Sequence, residues 1–431
     1  MSISLIEFQP SATIKAFQES KLRELLHYLA EHSPFYQQAF AEAGVSMHEI
    51  RHLEDLVRLP VTTKHDLHER HADFVCVEPR HIVDYVCTSG TQGVPVTFGL
   101  TDKDLDRLAY NEYLSLGCAG GSADELYQLT TTIDKRFMAG MAYFLGARRL
   151  GAGIIRVGGG VVEMQWDTIQ RLRPTALIAV PSFVVKLIDY AEAHGIDYAA
   201  SSVRKIICIG ENIRRPDFTL NTLGQRIRDK WDVKLHSTYA STEMGTSFTE
   251  CEAGQGGHHH PELLIVEILD QFNQPVADGE PGEITITTLG VEGMPLLRFK
   301  TGDIGAAHHG TCACGRATMR LSPIVGRKQQ MVKYKGTTLY PQLIHDALNE
   351  VEFVKNFLVE SYTNDIGTDE LLLHIGCHEP SDYAKADLSE HLRAKLRVAP
   401  TLVFKPVAEI HRMQFAGSVR KPTTFLDRRV A

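Results

Sequence analysis

Helix-like and strand-like periods alternate through roughly the first 240 residues of this 431-residue chain. Residues 21–44 repeat leucine and alanine at helical spacing and predict one or two N-terminal helices. Residues 166–172 and 183–194 indicate helices on either side of a buried strand at 175–180, and a second buried strand is predicted at 206–209. Such alternation builds layered α/β domains. The chain is therefore expected to be an α/β protein with a large layered N-terminal domain.

The pattern changes from Leu263 onward. The segments LLIVEILD and GEITITTL predict two strands joined by a polar turn at 271–281, which is typical of an antiparallel subdomain. A further change at Gly326-Arg327 precedes a last segment of about 100 residues with mixed helix and strand signals. A chain of 431 residues exceeds a typical single core. We therefore predict two domains, at residues 1–326 and, smaller and α+β, at 327–431.

Charge and hydropathy exclude several classes of partner. The net charge of −8 argues against a nucleic-acid-binding surface, because a face that neutralises phosphates normally makes the balance basic. The longest apolar candidate for a membrane span, 175–188, is interrupted by Pro181 and Lys186. The N-terminal sequence MSISLIEFQPSATIKAF has no basic segment followed by an apolar stretch, so no secretory signal is expected. We expect neither a nucleic acid nor a membrane as partner, and a cytoplasmic location.

The segment TSGTQGVPV at residues 88–96 is rich in small polar residues and follows a strand-like run at 85–87. Glycines allow backbone N–H groups to turn toward an anion, and neighbouring hydroxyls add donors, so such a loop can bind phosphate. The segment lacks the Gly-Lys-Ser/Thr ending of a P-loop, and with it the lysine that reaches the terminal phosphates. A plain glycine turn is the alternative, and the loop alone does not decide between the two.

Three more segments follow in order: YASTE at 239–243, Thr301-Gly302-Asp303, and Lys421 within RKPTTFLDRR. Together with the glycine-rich loop, this ordered set resembles the adenylate-forming superfamily of acyl-CoA synthetases, luciferases and peptide-synthetase adenylation domains. Within it, the chain is most similar to the phenylacetate–CoA ligase family. The resemblance extends over nearly the whole chain and includes SPFYQQAFAEAGV, LEDLVRLPVTTKHDL, GGGVVE, RPTALIAVPSF, IGENI and GEITITTLGVEGMPLLRFKTGD.

This resemblance implies an ATP-dependent acid–CoA ligase. Such an enzyme activates a carboxylic acid as acyl-AMP with release of pyrophosphate, and then transfers the acyl group to coenzyme A with release of AMP. The acid that the resemblance favours is an aryl or arylacetic acid such as phenylacetate. ATP, Mg²⁺ and coenzyme A are the implied cofactors. The implied partners are all small molecules, and a homodimer is the assembly considered, with the oligomeric state left open.

The resemblance also assigns roles to individual residues. Glu243 offers the oxygen ligands that Mg²⁺ prefers, and Asp303 can accept hydrogen bonds from both ribose hydroxyls. Lys421, on a C-terminal domain expected to be a mobile lid, would stabilise the substrate carboxylate and the α-phosphate together. The alternative for each is an ordinary solvent-exposed charge. The catalytic set is Lys421, Glu243 and Thr242; the nucleotide-binding set is Thr88, Ser89, Gly90, Thr91, Gly93, Gly210, Glu211, Tyr239, Ala240, Ser241, Thr242, Asp303 and Arg327; the coenzyme A set is Lys333, Lys335 and Gly336.

The eight cysteines carry a second signal. In a chain without a secretory signal they are expected to be reduced. Cys312 and Cys314 form a Cys-Ala-Cys turn, and upstream Cys251 is followed by three consecutive histidines. Three thiolates and an imidazole suit a closed tetrahedral Zn²⁺ site, and members of the resembled family have a similar Cys-x-Cys-Gly-Arg turn. We predict a structural zinc held by Cys251, His258, Cys312 and Cys314, with His259 as alternate ligand; free cysteines in a glycine-rich loop are the alternative.

The chain departs from the family pattern at three places. Val94 stands where the phosphate loop often has lysine, and Gln329-Gln330 stand where the superfamily usually has Asp-Asp at a hinge. Residues 132–136 bring three charged residues to the neighbourhood of the expected acyl pocket, which suits an apolar acid only if they face solvent. Two other functions therefore stay open. One is an adenylating enzyme that acylates a carrier-protein thiol or an amine, and the other is a non-catalytic, zinc-stabilised protein with a ligase fold.

Overall fold

The computed structural model describes residues 5–88, 95–365, 367–378, 381–416 and 422–429. The chain divides into two compact units. The first comprises the residues up to 301 together with 305–324, and the second comprises 302–304 together with the residues from 325 onward. The second unit therefore includes Asp303, whereas the sequence-based prediction starts the C-terminal domain at residue 327.

The described part of the first unit forms eight α-helices, and several begin where a side chain accepts a backbone N–H. The helices are α1 (Ser11–His32), α2 (Pro34–Ala43), α3 (Lys64–Glu69), α4 (Asp102–Cys118), α5 (Met138–Leu150), α6 (Val162–Leu172), α7 (Pro181–Ala193) and α8 (Thr222–Lys230). Ser33 caps α2, Thr63 caps α3 and Thr101 caps α4. Gly44 ends α2 in the left-handed conformation that glycine adopts without strain.

Strands of the first unit form one large sheet, one smaller sheet and a hairpin. They are β1 (Ile82–Cys87), β2 (Thr97–Thr101), β3 (Leu126–Leu129), β4 (Gly153–Arg156), β5 (Ala176–Ala179), β6 (Lys205–Ile209), β7 (Lys234–Ser241), β8 (Thr246–Glu250), β9 (Gly257–His258), β10 (Leu264–Leu269), β11 (Gly282–Thr288), β12 (Phe299–Gly305, of which 302–304 belong to the second unit), β13 (Ala307–His308) and β14 (Arg320–Leu321). The strands predicted at 175–180 and 206–209 are β5 and β6.

The large sheet has the strand order β13-β14-β9-β8-β7-β6-β5-β3-β4. Its β4-β3-β5-β6-β7 half is parallel, and β8 returns antiparallel to β7. The parallel strands are joined through helices, as the alternating sequence pattern requires. Helices α6 and α7 cover this sheet, and the stacked rings of Trp166 and Trp231, 5.6 Å apart, lie in the same core. The predicted α/β class is confirmed.

The segment after residue 263 forms antiparallel strands, as predicted. β10 pairs with β11 from Leu264 opposite Thr288 to Leu269 opposite Glu283, without a break in register. β1 and β2 form a separate antiparallel hairpin around the segment 88–96. A large apolar core joins α1 and α2 to β10 and β11, with Leu22, Leu29, Ile284 and Ile286 fully buried.

The second unit is a small α+β assembly. Its strands are β15 (Gly326–Arg327), β16 (Val332–Tyr334), β17 (Thr337–Leu339), β18 (Asn356–Thr363), β19 (Asp369–Gly376), β20 (Thr401–Lys405) and β21 (Phe425–Asp427), and its helices are α9 (Pro341–Asn349), α10 (Asp382–Leu396) and α11 (Val407–Gln414). Four of the strands form a sheet in the order β20-β19-β18-β21. Helices α9 and α10 contribute Ile344, Leu348, Leu388 and Leu392 to its buried core. Among the described helices of both units, none is long and apolar enough to cross a membrane.

Candidate active site and metal centre

The parallel strands β5, β6 and β7 are neighbours and end at one edge of the large sheet. Gly210 and Glu211 directly follow β6, and Thr242 and Glu243 directly follow β7. In parallel α/β sheets, ligands bind in the crevice outside the carboxyl ends of the strands. The fold therefore brings four predicted site residues, three of the nucleotide-binding set and the catalytic Glu243, to the edge where a ligand is expected.

The position of Glu211 is fixed by α7. Its Oε2 accepts a hydrogen bond from the backbone N–H of Ser182 at 2.8 Å, and its Oε1 accepts one from the Ser182 hydroxyl at 2.8 Å. The N-cap residue of α7, Val180, has no side-chain acceptor. The Glu211 carboxylate instead accepts a hydrogen bond from a backbone N–H group in the first turn of α7, where a negative charge is favourable.

Glu243 lies in a tight turn between β7 and β8. The Ser241 hydroxyl accepts a hydrogen bond from the backbone N–H of Met244 at 3.3 Å, and Gly245 N–H bonds to the carbonyl of Ser241 at 3.3 Å. Met244 is fully buried, whereas Thr242 and Glu243 are half-buried. The turn therefore holds its apolar residue in the core and leaves the hydroxyl and the carboxylate at the sheet edge.

The two residues that precede this turn differ in burial. Tyr239 is half-buried, with its ring 6.0 Å from that of Phe248 on β8. Ala240 is exposed. Because β7 is parallel to β6, Tyr239 and Ala240 end at the same sheet edge as Glu211. Every YASTE residue thus lies at or next to this edge.

Lys64 was not among the predicted site residues, yet its Nζ lies 3.9 Å from Oε1 of Glu243. It is the first residue of α3, whose start is fixed by a capping box between Thr63 and Asp66. The side chains of Lys64 and Glu243 are 32% and 14% exposed. The sequence signal at this position, Thr-x-x-Asp, predicts a helix start and carries no indication of a ligand.

Several predicted residues lie outside the described residues: Ser89, Gly90, Thr91 and Gly93 of the phosphate loop, and Lys421. Position 94 of the loop lies outside them as well. The described ends of the loop are paired, because Thr88 N–H donates to the carbonyl of Val96 at 3.0 Å and the Thr88 hydroxyl accepts from Val96 N–H at 3.0 Å. Thr88 is buried at this closure.

The charged segment 132–136 faces solvent. Asp134, Lys135 and Arg136 are all exposed, and the two basic residues adopt left-handed backbone conformations with φ of 58° and 57°. The close packing of this loop against α5 is at Gly140, where an added Cβ would lie 2.0 Å from the carbonyl oxygen of Thr132. The three charges therefore do not line an interior pocket.

Asp303 and Arg327 meet within the second unit. They are opposite each other in the β12–β15 pair, and Arg327 Nε donates to Asp303 Oδ1 at 3.2 Å. Gly302, with φ of 78°, occupies a left-handed conformation just before the carboxylate. The side chain of Asp303 is 12% exposed and that of Arg327 is 42% exposed. The structure thus pairs the two predicted ribose ligands.

The four predicted zinc ligands converge. The donor atoms of Cys251, His258, Cys312 and Cys314 all lie within 4.8 Å of one another. The Cys251 and Cys312 sulfurs are 3.6 Å apart, and the Cys314 sulfur is 3.5 Å from Nε2 of His258. A tetrahedral zinc with bonds of about 2.3 Å to sulfur separates two thiolates by roughly 3.8 Å, so the cluster fits this geometry. His259 is instead hydrogen-bonded to the carbonyl of Leu264 through its own Nε2, at 2.7 Å.

Burial and neighbouring hydrogen bonds change the pKa values of two residues of this cluster, His258 and Cys314. Burial lowers the pKa of His258 to about 3, which keeps the imidazole neutral, and its Nδ1 is 3.0 Å from the Thr318 hydroxyl. The Nε2 atom is thereby left to face the sulfurs. Burial raises the pKa of Cys314, but hydrogen bonds from the backbone N–H and guanidinium of Arg316, together with those from Cys312 and Cys251, leave that pKa below its usual value.

Glu7 links the N-terminal 3-10 helix to the segment that carries the Cys/His cluster. Its fully buried carboxylate accepts from Arg316 Nε at 2.7 Å and contacts His260 Nδ1 at 2.5 Å. Burial raises the pKa of Glu7, but the charges of His260 and Arg316 together bring it down to about 2. The Glu7 side chain therefore holds the 3-10 helix Leu5–Phe8 against the Cys314 turn. Glu7 carried no signal in the sequence, because its partners lie more than 250 positions away.

The predicted coenzyme A residues share one hairpin of the second unit. Tyr334 pairs with Thr337, and the two residues between them, Lys335 and Gly336, have φ of 48° and 80°. Positive φ at both positions is typical of a two-residue type I′ turn. Lys333 and Lys335 are exposed. The hairpin thus presents two cations and a glycine to solvent.

The model for the family of AMP-binding enzymes matches residues 11–293 of the chain. Phenylacetate-coenzyme A ligase of Thermus thermophilus is 31% identical over 348 residues, which make up 80% of this chain and 77% of that relative. Phenylacetate-coenzyme A ligase of Escherichia coli is 30% identical over 349 residues, 79% of this chain and 77% of the relative. The protein is an AMP-binding enzyme. It belongs to the phenylacetate–CoA ligase family, which confirms the resemblance drawn from its motifs.

Solved structures show the same fold. A 2-hydroxyisobutyryl-CoA ligase in the postadenylation state with R3-HIB-AMP superposes with a TM-score of 0.85 at 24% identity, over 98% of this chain and 91% of that chain. The same ligase with 2-HIB-AMP and CoA in the thioesterification state gives a TM-score of 0.72 at 24% identity, over 99% of this chain and 92% of that chain. The likeness extends over both units of the chain.

Proposed function

We propose that the protein is an ATP-dependent acid–CoA ligase. A carboxylate oxygen of the acid attacks the α-phosphorus of ATP, acyl-AMP forms and pyrophosphate leaves. The thiol sulfur of coenzyme A then attacks the acyl carbonyl carbon, a thioester forms and AMP leaves. The observation that carries the proposal is the placement of Glu211 and Glu243 at the carboxyl edge of neighbouring parallel strands, in a chain of this ligase family.

We propose an aryl or arylacetic acid such as phenylacetate as the substrate. Four relatives that match 77–84% of their own length are each named phenylacetate-coenzyme A ligase. The charges of Asp134, Lys135 and Arg136 pose no obstacle to an apolar acid, because these side chains face solvent.

The nucleotide roles follow from the chemistry of each group. Glu243, assisted by the Thr242 hydroxyl, is proposed to hold Mg²⁺, which when bound neutralises charge on the phosphates of ATP. Asp303 accepts from the ribose hydroxyls, with Arg327 as the second ribose contact. Gly210, Glu211 and Tyr239 line the adenine side, and the segment 88–93 binds the outer phosphates.

The second unit is proposed to be the mobile lid, with Lys421 as the adenylation lysine. Arg429 donates to the carbonyls of Gln329 at 2.9 Å and Met331 at 2.7 Å, which ties the predicted hinge segment to the body of this unit. Lys333 and Lys335 offer exposed cations to the phosphates of coenzyme A, and Gly336 lets the backbone approach them closely.

A structural zinc completes the proposal. Cys251, His258, Cys312 and Cys314 fit a closed tetrahedral site, and the reaction chemistry needs no metal there. The site would order the loop between β8 and β9 and the turn that precedes β14. A homodimer and a cytoplasmic location remain predictions, which sedimentation analysis and cell fractionation test.

The deciding experiment measures AMP release over a panel of carboxylic acids, with and without coenzyme A. AMP release that requires both phenylacetate-like acids and coenzyme A supports the ligase. Adenylation that turns over only with a carrier-protein thiol or an amine assigns the acceptor differently. Absence of ATP–pyrophosphate exchange with every acid contradicts the enzymatic assignment and favours a non-catalytic role.

A further inference from the structure

Helix α4 carries a stripe of buried polar side chains that follows β8. The stripe residues are spaced by four, four and three positions, so they lie on one helical face. Hydrogen bonds join them to β8 in order: Arg107 to Thr246, Asn111 to Ser247, and Ser115 and Cys118 to Thr249. Because β8 begins directly after the turn that carries Glu243, this face of α4 sets the place of that turn.

Arg107 makes the most extensive contacts of the stripe. Its guanidinium donates to the carbonyls of Leu289 at 2.7 Å, Gly245 at 2.9 Å and Leu263 at 2.7 Å, and to the Thr246 hydroxyl at 3.2 Å. The four acceptors come from three segments that are distant in sequence. A planar fork with five N–H donors is suited to hold several carbonyl groups at once.

The charge of Arg107 is compensated by peptide dipoles and by the negative charge of nearby Asp104. The side chain is buried, and no carboxylate is among its hydrogen-bond partners in the described part of the chain. Burial lowers the pKa of Arg107 to about 10, so the group stays charged at neutral pH. A buried cation requires its acceptors to stay in place, because a lost hydrogen bond leaves the charge uncompensated.

The middle of the Glu243 turn is held by the fully buried side chain of Met244, whereas its end, at Gly245 and Thr246, contacts Arg107. Gly245 has φ of 54°, and a Cβ there would lie 3.3 Å from Arg107, so glycine permits this close approach. A small cavity of ≈ 30 Å³, with room for roughly one water, lies between Arg107, Glu243 and the neighbouring side chains. The hydrogen bonds from Arg107 therefore fix the end of the turn beside this cavity, where packing is incomplete.

We propose that Arg107 is a positioning residue for Glu243 in the adenylation reaction. It acts through the carbonyl of Gly245 and the hydroxyl of Thr246, two and three residues after the carboxylate. Asp104, one helical turn earlier, accepts from the backbone N–H groups of Glu292 at 2.7 Å and Gly293 at 2.9 Å and fixes the opposite side of the same region. This inference rests on the proposed function, because it concerns the carboxylate assigned to Mg²⁺.

The test compares Arg107→Lys with Arg214→Lys. Lysine keeps the charge but loses the planar fork. Arg214 is the matched control, because it is also a largely buried arginine, bonded to Glu250 at 2.7 and 2.8 Å and to the carbonyl of Phe218. Both variants are expected to lower the thermal midpoint, which a structural role alone would explain. Two measurements distinguish a positioning role from a purely structural one. They are ATP–pyrophosphate exchange over a range of Mg²⁺ concentrations and calorimetric titration of ATP with and without Mg²⁺.

For Arg107→Lys, the Mg²⁺ concentration at half-maximal exchange should rise roughly five- to tenfold, and the saturating rate should fall roughly 10- to 100-fold. The gain in ATP affinity on adding Mg²⁺, measured without acid, should shrink in parallel. Arg214→Lys should keep the wild-type Mg²⁺ dependence. Thr246→Val removes the hydroxyl that accepts from Arg107 and donates to the carbonyl of Met244 at 3.2 Å, and it should shift the Mg²⁺ dependence about two- to threefold in the same direction, even if Arg107→Lys does not fold.

Unchanged Mg²⁺ dependence in Thr246→Val and in any folded Arg107→Lys overturns the inference, and so does an equal shift in Arg214→Lys. Failure of the proposed function gives a different result. In that case the wild-type protein performs no exchange with any acid, while the calorimetric titration still reports whether Arg107 affects Mg²⁺-dependent ATP binding.

Discussion

The Glu211 carboxylate accepts hydrogen bonds from both the backbone N–H and the hydroxyl of Ser182, each at 2.8 Å. The contact joins the end of β6 to the first turn of α7, 29 positions earlier in the chain. A residue assigned to the adenine side of the site is thus also the cap of a helix. The orientation of the Glu211 side chain therefore depends on the start of α7, which follows the neighbouring strand β5.

Ser182→Ala should weaken AMP binding about three- to fivefold and lower the free energy of unfolding by about 1 kcal/mol, because one hydrogen bond to the carboxylate is lost. Calorimetry and chemical denaturation measure the two effects. Ser202→Ala is the matched control, because its hydroxyl donates to the carbonyl of Pro174 at 2.7 Å, before β5 begins. It should lose similar stability and keep AMP affinity. Equal AMP affinity in both variants would remove Glu211 from the nucleotide site.

Lys64→Met should lower the rate of ATP–pyrophosphate exchange roughly tenfold with little loss of stability. The partly exposed ion pair with Glu243 contributes about 0–1 kcal/mol to folding, whereas a cation beside the phosphates stabilises charge that develops in the reaction. Rate measurements of ATP–pyrophosphate exchange report the first effect, and thermal unfolding reports the second. Lys21→Met, at an exposed position paired with Glu24, serves as the control. A normal exchange rate in Lys64→Met would make the contact with Glu243 incidental.

Lys421→Ala should lower adenylation on the order of 10²- to 10³-fold, which is typical for loss of a charge that meets a transition state. Thioester formation from pre-made acyl-adenylate should persist, because that half-reaction does not use the adenylation lysine. Arg420→Ala removes the neighbouring positive charge and controls for a general electrostatic effect. Near-normal ATP–pyrophosphate exchange in Lys421→Ala would refute the assignment.

Protein purified without added zinc should contain about one equivalent of zinc, and Cys312→Ser should lower metal content and thermal stability together. Cys251 and Cys312 are 61 positions apart, so a bound zinc would close a long loop. Cys208→Ser is the control, because that thiol is fully buried in β6 away from the cluster. It should lose stability and keep its zinc. Full zinc occupancy in a Cys312→Ser, Cys314→Ser double variant would exclude these ligands.

The elements and contacts that the sequence predicts are those with local or chemically distinctive signals. The strands at β5 and β6 follow from short buried runs. The Cys-Ala-Cys turn, with Cys251 and His258 upstream, predicts a shared site because three thiolates and an imidazole suit a tetrahedral Zn²⁺. The structure brings these four residues together. A motif can therefore indicate a long-range contact when its residue types have few other roles.

Contacts that depend on strand order or on buried charge could not be predicted in this way. Ser182 meets Glu211 because β5 and β6 are neighbours, and nothing in either local sequence states that order. From sequence, Arg107 is expected at an exposed position of its helix, because arginine is rarely fully buried. Its role becomes visible only when three distant carbonyls converge on it. Glu7 was missed for the same reason.

Glu112 provides a prediction for pH dependence. Its carboxyl group is buried, its Oε1 accepts from Asn111 at 3.1 Å, and its Oε2 has no hydrogen-bond partner in the described part of the chain. Burial raises the pKa of Glu112 from 4.5 to about 7. The folded state therefore binds a proton more tightly than the unfolded state does. The stability contributed by the protonated group is present below pH 4.5 and is lost as the pH rises to about 7.

Glu112→Gln removes this titration and keeps the shape of the side chain. The free energy of unfolding of the variant, relative to wild type, should therefore increase with pH between about 4.5 and 7 by up to ~3 kcal/mol. Denaturation curves at several pH values measure the difference. Glu42→Gln, at an exposed position, controls for loss of a charge and should give a curve parallel to wild type. A difference that stays constant from pH 5 to pH 8 in Glu112→Gln would show that this carboxyl ionises as freely in the folded chain as in water.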